Sequence, residues 1–395
     1  MRKLAEHMLV HARRIKLAMV TPFPEANGLI KGGVESVSCN LIDSLRRIGS
    51  VEIHVLSPSR KHAVTTEQRD GITIHWIPNS RLPGFLGYWS TFRRALHRQL
   101  HEIQPDLTHF QGIAGWTLFY NRPYVFTIHG IPENDALFSK RWFSRSRSFL
   151  IGLIERLGRQ QSPDTIIINP YVMTELKSQL RGRTWHIENP ISREFFEIER
   201  KSFIPLILYV GRISHRKNIL GLLRAFHTVH EHIPSSRLHL AGSGDKQTLH
   251  ACSSYVKKSG LSAAVKFLGN VDRDTLTKEL AQAACLALVS HQETAPMIIG
   301  EAMAAGVPIV ASDMNGIPYM VEEGLTGFRV NQNDPHQIAT QLIELLRNVP
   351  SNQVMGKRCR EVAFKRFHPD EVVMQTLNVY RHILDQVRDS TASHA

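Results

Sequence analysis

The sequence predicts an α/β protein made of two doubly wound domains, on three observations. At 395 residues the chain exceeds what one hydrophobic core organises, so two domains of roughly 150–200 residues are expected. Short β-rich apolar runs alternate with longer helical patterns from end to end, the signature of parallel sheets with helical crossovers. Around Ser192–Ile204 the run SREFFEIERKSFI turns charged and aperiodic between two strand-like segments, which places a linker there.

In the first half the strand candidates are Lys16–Val20, Val51–Leu56, Ile72–Ile77, Leu107–Phe110, Tyr124–Ile128, Thr165–Ile168 and Trp185–Ile187. Helical patterns cover Val34–Arg47, Tyr88–His101 and Tyr171–Leu180. The second half repeats the rhythm, with strands at Ile204–Val210, Leu238–Ala241, Val265–Leu268, Leu286–Val289 and Val307–Val310. Its helices fall near Asn218–His232, Lys246–Ser259, Arg273–Ala283, Met297–Ala305 and His336–Arg347. The expected domains are therefore Rossmann-like, at residues 1–195 and 196–368. A terminal helix at about 369–390 has the first domain as a surface on which to pack back. Ligands of such sheets sit beyond the carboxyl ends of the strands, here a cleft across which the two domains face each other.

Composition narrows the function. Apolar residues at 42% and charged residues at 21% are ordinary for a folded soluble chain and exclude disorder. Cys39, Cys252, Cys285 and Cys359 stand singly, so neither a disulfide framework nor a zinc site is expected and a reducing cytoplasm fits best. The opening MRKLAEHMLVHARRIKLAMV mixes charges into its apolar residues, unlike a secretory signal. No run approaches the ~18 apolar residues of a membrane-spanning helix.

The net charge of +13 attracts any polyanion, but its distribution argues against a nucleic-acid partner. Residues 1–200 carry 27 Lys and Arg against 18 Asp and Glu, and much of the excess lies in Phe138–Gln160. There six basic residues accompany Trp142, Phe143, Phe149, Leu150, Ile151, Leu153 and Ile154, with Glu155 alone in opposition. That mixture suits an anionic membrane surface and a peripheral position on it. It equally fits a solvated amphipathic helix covering the sheet.

The residues with chemistry cluster after the strand Leu286–Val289. In SHQETAPMIIGEAMAAGVPIVAS, Glu293 occupies a strand-to-helix loop and Glu301 the helix. Pro296 suits a first helical position, where its missing N–H has no intrahelical partner to lose. The turn across Thr294, Ala295, Pro296, Met297 and Ile298 is expected to bind the donor, its exposed N–H groups making an anion site reinforced by the helix dipole. A diphosphate fits there while the carboxylates accept hydrogen bonds from sugar and ribose hydroxyls.

This segment resembles the EX7E signature of the retaining glycosyltransferases of the GT-B fold, a family of bacterial mannosyl-, glucosyl- and N-acetylglucosaminyltransferases, and EAMAAGVPIVAS strengthens the match. The resemblance implies that Glu293 contacts the transferred sugar and Glu301 the ribose of the nucleotide.

Upstream, GRISHRKN supplies Gly211 for close backbone approach and two cations, Arg212 and Lys217, suited to a leaving diphosphate. The family uses a matching Arg and Lys in that role; the intervening Ser214-His215-Arg216 reads as variable. LHLAGSGD places Gly242 and Gly244 at a strand end, permitting either close packing of a nucleotide or a structural turn, with Asp245 as a helix cap. Gly32 and Gly33 precede the first amphipathic helix, and family members carry a similar turn near the donor phosphates. TIHG brings His129 to a strand exit, where the family has a histidine that contacts the donor sugar. Glu188–Ser192 and Glu293-Thr294-Ala295-Pro296 depart from the family's usual Asn-Gly-Val/Ile-Asp and Glu-Gly-Phe-Gly, which bears on sugar identity. The histidines His227, His230 and His232 have no accompanying ligand pattern and read as exposed helix.

The resemblance implies transfer of a hexose from a UDP- or GDP-sugar to a saccharide or polyprenyl- or other lipid-linked acceptor, in cell-surface polysaccharide or glycolipid synthesis. It implies no metal and no further cofactor. The rival readings are a sugar-nucleotide epimerase of the same fold and an inactive scaffold that binds a membrane or partner. A dinucleotide-dependent dehydrogenase lacks its third glycine and distal acid.

Overall fold

The structure, a computed structural model, describes residues 14–25, 30, 32–79, 85–133, 144–200 and 204–392, with backbone alone at 85–90, 144–148 and 391. Contacts divide the chain into two units. One comprises residues 1–190 and 369–395, the other residues 191–368.

The first unit holds an eight-stranded sheet in the order β3-β4-β2-β1-β5-β6-β7-β8. Its strands are β1 (Ile15–Val20), β2 (Val51–Ser59), β3 (Thr65–Arg69), β4 (Ile72–Pro78), β5 (Leu107–Gln111), β6 (Tyr124–Ile128), β7 (Asp164–Ile167) and β8 (Arg183–His186). All neighbours are parallel except β3, which pairs antiparallel with β4. The chain winds outward from β1 through β2 to β4, then crosses back to β5 on the other side of β1. The carboxyl ends of β1 and β5 therefore flank a switch point, where a doubly wound sheet opens a crevice.

Alternation along β1 assigns its side chains to opposite faces. Leu17 and Met19 join one core, while Ala18 and Val20 join another with Phe92, Leu96 and Leu100 of helix α2 (Phe85–Ile103). The first core is lined by Leu41, Ile42 and Leu45 of α1 (Gly33–Ile48). That helix stops at Gly49, whose left-handed φ of 74° lets its N–H reach Leu45 O.

On the far side of the switch lie α3 (Ser144–Gln161) and α4 (Pro170–Leu176), capped by Asn169. The terminal helix, residues Pro369–Ala392, belongs to this unit, and its Val372, Val373, Leu377, Tyr380 and Ile383 share the core of Leu17 and Met19. Tyr380 Oη lies 2.6 Å from Nδ1 of the fully buried His109.

The second unit begins at Ile191, ahead of the boundary expected at 195/196, because Ile191 and Phe195 are buried in its core. Within the expected linker Arg193–Phe196 form the short helix α5, and the Ile191 N–H donates to Phe367 O at 2.9 Å. Its six strands are β9 (Leu206–Val210), β10 (Arg237–Ala241), β11 (Val265–Gly269), β12 (Cys285–Leu288), β13 (Ile309–Ser312) and β14 (Gly327–Val330). They form a fully parallel sheet in the order β11-β10-β9-β12-β13-β14.

The crossovers are α6 (Ile219–His232), α7 (Lys246–Lys258), α8 (Arg273–Gln282), α9 (Met297–Ala304) and α10 (Pro335–Arg347), followed by α11 (Val349–Phe367) and the terminal helix, α12. Asp245 caps α7 by accepting from Thr248 N at 2.8 Å. Here the switch point falls between β9 and β12. Among the described residues no helix is long and apolar enough to cross a membrane.

Tyr380→Phe leaves a ring nitrogen of His109 buried without its phenol partner, so the first unit should lose about 1–3 kcal/mol. Chemical denaturation that follows Trp fluorescence of this unit checks the loss.

Candidate functional site

The carboxyl ends of β9 and β12 carry the loops on which the sequence motifs lie. After β9, Gly211 adopts φ 149°, and the Tyr209 hydroxyl donates to Arg212 O at 3.0 Å. The Gly211 N–H donates to Ala241 O at 2.9 Å, and the Ile213 N–H to Ser243 O at 2.8 Å. The loops after β9 and β10 thus lie backbone against backbone.

A Cβ on Gly242 would come within 1.9 Å of Gly211 O, and one on Gly244 within 2.3 Å of Ile213 O. The need for glycine at 242 and 244 is therefore set by this contact between loops. Of the two readings the sequence left open, the turn accounts for both residues.

A short 3₁₀ turn, His215–Lys217, leads to Asn218 at φ 53°, from which α6 starts. The turn aims Lys217 at the loop after β12, where its Nζ donates to Glu293 Oε1. Both side chains are withdrawn from water, at 12% and 7% exposure. Such a pair holds because each charge has the other; either one alone would be costly.

Arg216, which the sequence reading passed over as variable, ties the same two loops. Its guanidinium donates to Gln292 O at 3.1 Å, its carbonyl accepts from His291 N at 2.8 Å, and His215 stacks on His291. Arg212 behaves differently: its side chain is exposed. The far side of Glu293 is closed by the loop after β13, where the Gly316 N–H donates to Glu293 O at 3.0 Å. Among the described residues Ser290 Oγ and Gln292 Oε1 are buried without a partner, an arrangement that calls for a ligand or water.

Pro296, expected at the first helical position, is instead the N-cap of α9, with ψ 120°. Thr294, Ala295 and Met297 are half-buried beside it, and Ile298 is buried. The helix ends at Gly306, φ 75°, whose carbonyl accepts from Arg200 at 2.6 Å while Arg360 binds Ala305 O at 3.1 Å. The Ala-Gly-Val-Pro continuation is thus a helix stop that fixes α9 against the sheet.

Glu301 is buried on α9 at 8% exposure. Burial pushes its carboxyl up to about 7, with Arg273 opposing and Glu194 adding to the rise. Arg273 and Glu194 pair with each other at 2.9 Å, and no hydrogen-bond partner of the Glu301 carboxylate is found among the described residues.

In the first unit His129 leaves the end of β6. Its Nε2 bonds Gln111 Oε1 at the end of β5, and burial lowers the ring to about 4, with Asn189 opposing. Gln111 Nε2 lies 3.3 Å from His109 Nε2, which also meets Thr127 Oγ1 at 2.6 Å. A continuous line of polar contacts therefore runs from Tyr380 through His109 and Gln111 to His129. Gly112 borders both His129 and Val34 on the first turn of α1, which puts His129 and the Gly32–Gly33 turn at one switch point. Gly32 is extended at φ −170°, and a Cβ there would meet open space.

The helix histidines are separately engaged, His230 with Ser236 Oγ at 3.3 Å, His232 with Thr228 O at 2.9 Å and His227 with Glu231 at 3.8 Å. Among the described residues no group of three His, Cys, Asp or Glu could hold a metal.

Comparison with known proteins identifies the family. The family model for glycosyl transferases group 1 matches residues 191–362, which lie in the second unit, and that for Glycosyltransferase Family 4 matches 31–195. The chain belongs to the group 1 glycosyltransferases.

An uncharacterised glycosyltransferase of Methanocaldococcus jannaschii is 25% identical over 403 residues, covering 94% of this chain and all of that one. Among solved structures, sucrose-phosphate synthase from Thermosynechococcus elongatus superposes with a TM-score of 0.80 at 20% identity, over 94% of this glycosyltransferase and all of that chain. Anabaena HepE in complex with UDP-glucose does so with a TM-score of 0.71 at 17% identity, over 93% of this chain and all of that one. The fold is the two-domain, Rossmann-like GT-B fold.

Because the folded pKa of Glu301 stands near 7 against 4.5 for the free group, the folded state holds a proton there that the unfolded chain has lost. That contribution favours folding below about pH 4.5 and disappears as pH rises through 7. Glu301→Gln should therefore stabilise the glycosyltransferase at pH 8, with the gain shrinking towards pH 5, in thermal unfolding across that range.

Proposed function

We propose that this glycosyltransferase moves a hexose, with retention of anomeric configuration, from a nucleoside-diphosphate sugar to the hydroxyl of a saccharide or lipid-linked acceptor. The Lys217–Glu293 pair at the β9/β12 switch point carries the reading. A UDP-sugar is the first candidate donor, supported by the shared fold with HepE, whose crystals hold UDP-glucose.

Glu293 orients the sugar hydroxyls, and Glu301 accepts from the ribose. Lys217 transfers its charge from Glu293 to the diphosphate, joined by Arg212, whose exposed side chain is available to it, and by the amides that open α9. Charge on the leaving diphosphate is met by these groups, and we propose that no metal ion is required. The bond from the anomeric carbon to the phosphate oxygen breaks as the bond to the acceptor oxygen forms on the same face. The acceptor proton passes to a phosphate oxygen, so no protein base is assigned. In the first unit we assign Gly32 and Gly33 to the donor phosphates and His129, held neutral by burial, to the sugar. Gly211, Gly242 and Gly244 act by bringing the two loops together beneath the diphosphate.

Cys252, Cys285 and Cys359 are buried free thiols, which supports a reducing compartment. We place the enzyme on the inner face of the cell membrane, in polysaccharide or glycolipid synthesis.

Lys217→Ala removes one charge stabiliser and should lower kcat about 100-fold, measured as product formed from UDP-sugars and GDP-sugars with an acceptor. Isomerised nucleotide sugar formed without an acceptor would instead identify an epimerase. If Glu301 receives the ribose hydroxyls, they favour its ionised form, so donor binding at pH 7 should release protons. Calorimetry in buffers of different ionisation enthalpy detects that release, and Glu301→Gln should abolish it.

A further inference from the structure

Among the described residues, the first unit exposes a set of large apolar side chains along one helix. Phe149, Leu153 and Leu157 follow at helical spacing on α3 and are 76%, 44% and 47% exposed. Beside them Phe119 is 73% exposed and sits at φ 62°, a left-handed conformation that strains a bulky aromatic residue. Its neighbours hold it there: Arg93 donates to Leu118 O at 3.1 Å and covers the Phe119 ring at 5.2 Å. Between Phe119 and α3 lies a cavity of about 430 Å3, lined by Leu118, Phe119, Ile154, Leu157 and Arg181 among others.

The charges around the stripe are sorted by sign. Glu155, the single acid of α3, points inward, where it accepts from the Ala114 and Gly115 amides at 3.0 and 3.3 Å. Arg159 is buried with it and grips Glu133 at 2.8 Å. Arg156 and Arg181 remain exposed, and Arg145 and Arg147 fall in the first turn of α3. The outward face is thus apolar with cationic flanks. Of the membrane-facing residues expected from sequence, Trp142, Phe143 and Arg141 lie outside the described residues, as do the side chains of Arg145 and Arg147.

We propose that this face docks on an anionic lipid bilayer, with Phe119, Phe149, Leu153 and Leu157 entering the boundary between headgroups and acyl chains and Arg156 and Arg181 meeting lipid phosphates. Aromatic and aliphatic groups bounded by Arg match that interface, and an aromatic residue held outward against backbone strain is explained by an occupant that receives it. The proposal deepens the reading of a lipid-linked acceptor and rests on it for its purpose. Vesicle binding is measured without donor or acceptor, so docking and transfer fail separately.

The test is co-sedimentation with phosphatidylcholine vesicles and with vesicles that also contain phosphatidylglycerol. The wild type should partition to the anionic vesicles and be released by salt. The double variant F119G/F149S should bind about tenfold more weakly, while its thermal midpoint does not fall, because glycine relieves the left-handed strain. R156E/R181E should lose the preference for phosphatidylglycerol. Equal binding of the wild type to both vesicle types, or wild-type binding by F119G/F149S, overturns the proposal. So does a wild-type dimer without lipid affinity that F119G/F149S converts to a monomer, since the occupant is then a second copy of the chain.

Discussion

Every strand of the second sheet runs in the same direction, so each connection must cross over the sheet, and the winding can reverse at one gap only. That gap, between β9 and β12, decides where the polar groups of the unit can be placed. The loop after β9 rests on the loop after β10 through the contact of Gly211 with Gly242, and the hold of Arg216 on Gln292 O ties it to the loop after β12. Only because the loops meet can Lys217 and Glu293 be taken out of water together, each neutralising the other. The helix stop at Gly306 fixes α9 from its far end, which sets Glu301 and the helix amides relative to that pair.

Much of this was legible in the sequence because it is written in local signals. Central strands such as β6 and β12 are short apolar runs bounded by turn residues, and Asp245 is a cap by residue type alone. What the sequence concealed has a physical reason in each case. β3, with the sequence TTEQR, is a polar strand at the sheet edge, paired with β4, so it carries no alternating apolar pattern. α11 opens with Val-Pro-Ser-Asn, which reads as a loop, yet Pro350 fits the first turn of a helix capped by Asn348. The run around Arg193 is charged because α5 is short and half-exposed, although Phe195 anchors it in the core.

The candidate site shows the same division. Glu293, Glu301 and Lys217 were visible through a spaced motif. Arg216 was not, because its role is to bond a carbonyl 76 residues away, and no local pattern reports such a partner. The glycines at 242 and 244 were visible, but their reason was not: a close approach to ligand and a close approach to another loop demand the same residue. His129 was found by its position after a strand, whereas the line of contacts behind it, through Gln111 and His109 to Tyr380, joins residues from three distant segments.

That last contact also bears on the order of synthesis. His109 and Tyr380 are separated by 271 positions, and the core they border contains six residues of α12. As the chain leaves the ribosome, the strands of the first unit emerge early with one face still lacking its covering helix. The second unit, residues 191–368, can fold in full while the first still waits for α12. The unit begun first is therefore completed only after the second has been made, a reversal of the usual order of maturation from the N-terminus. Until α12 emerges, Leu17 and Met19 lie under an incomplete roof.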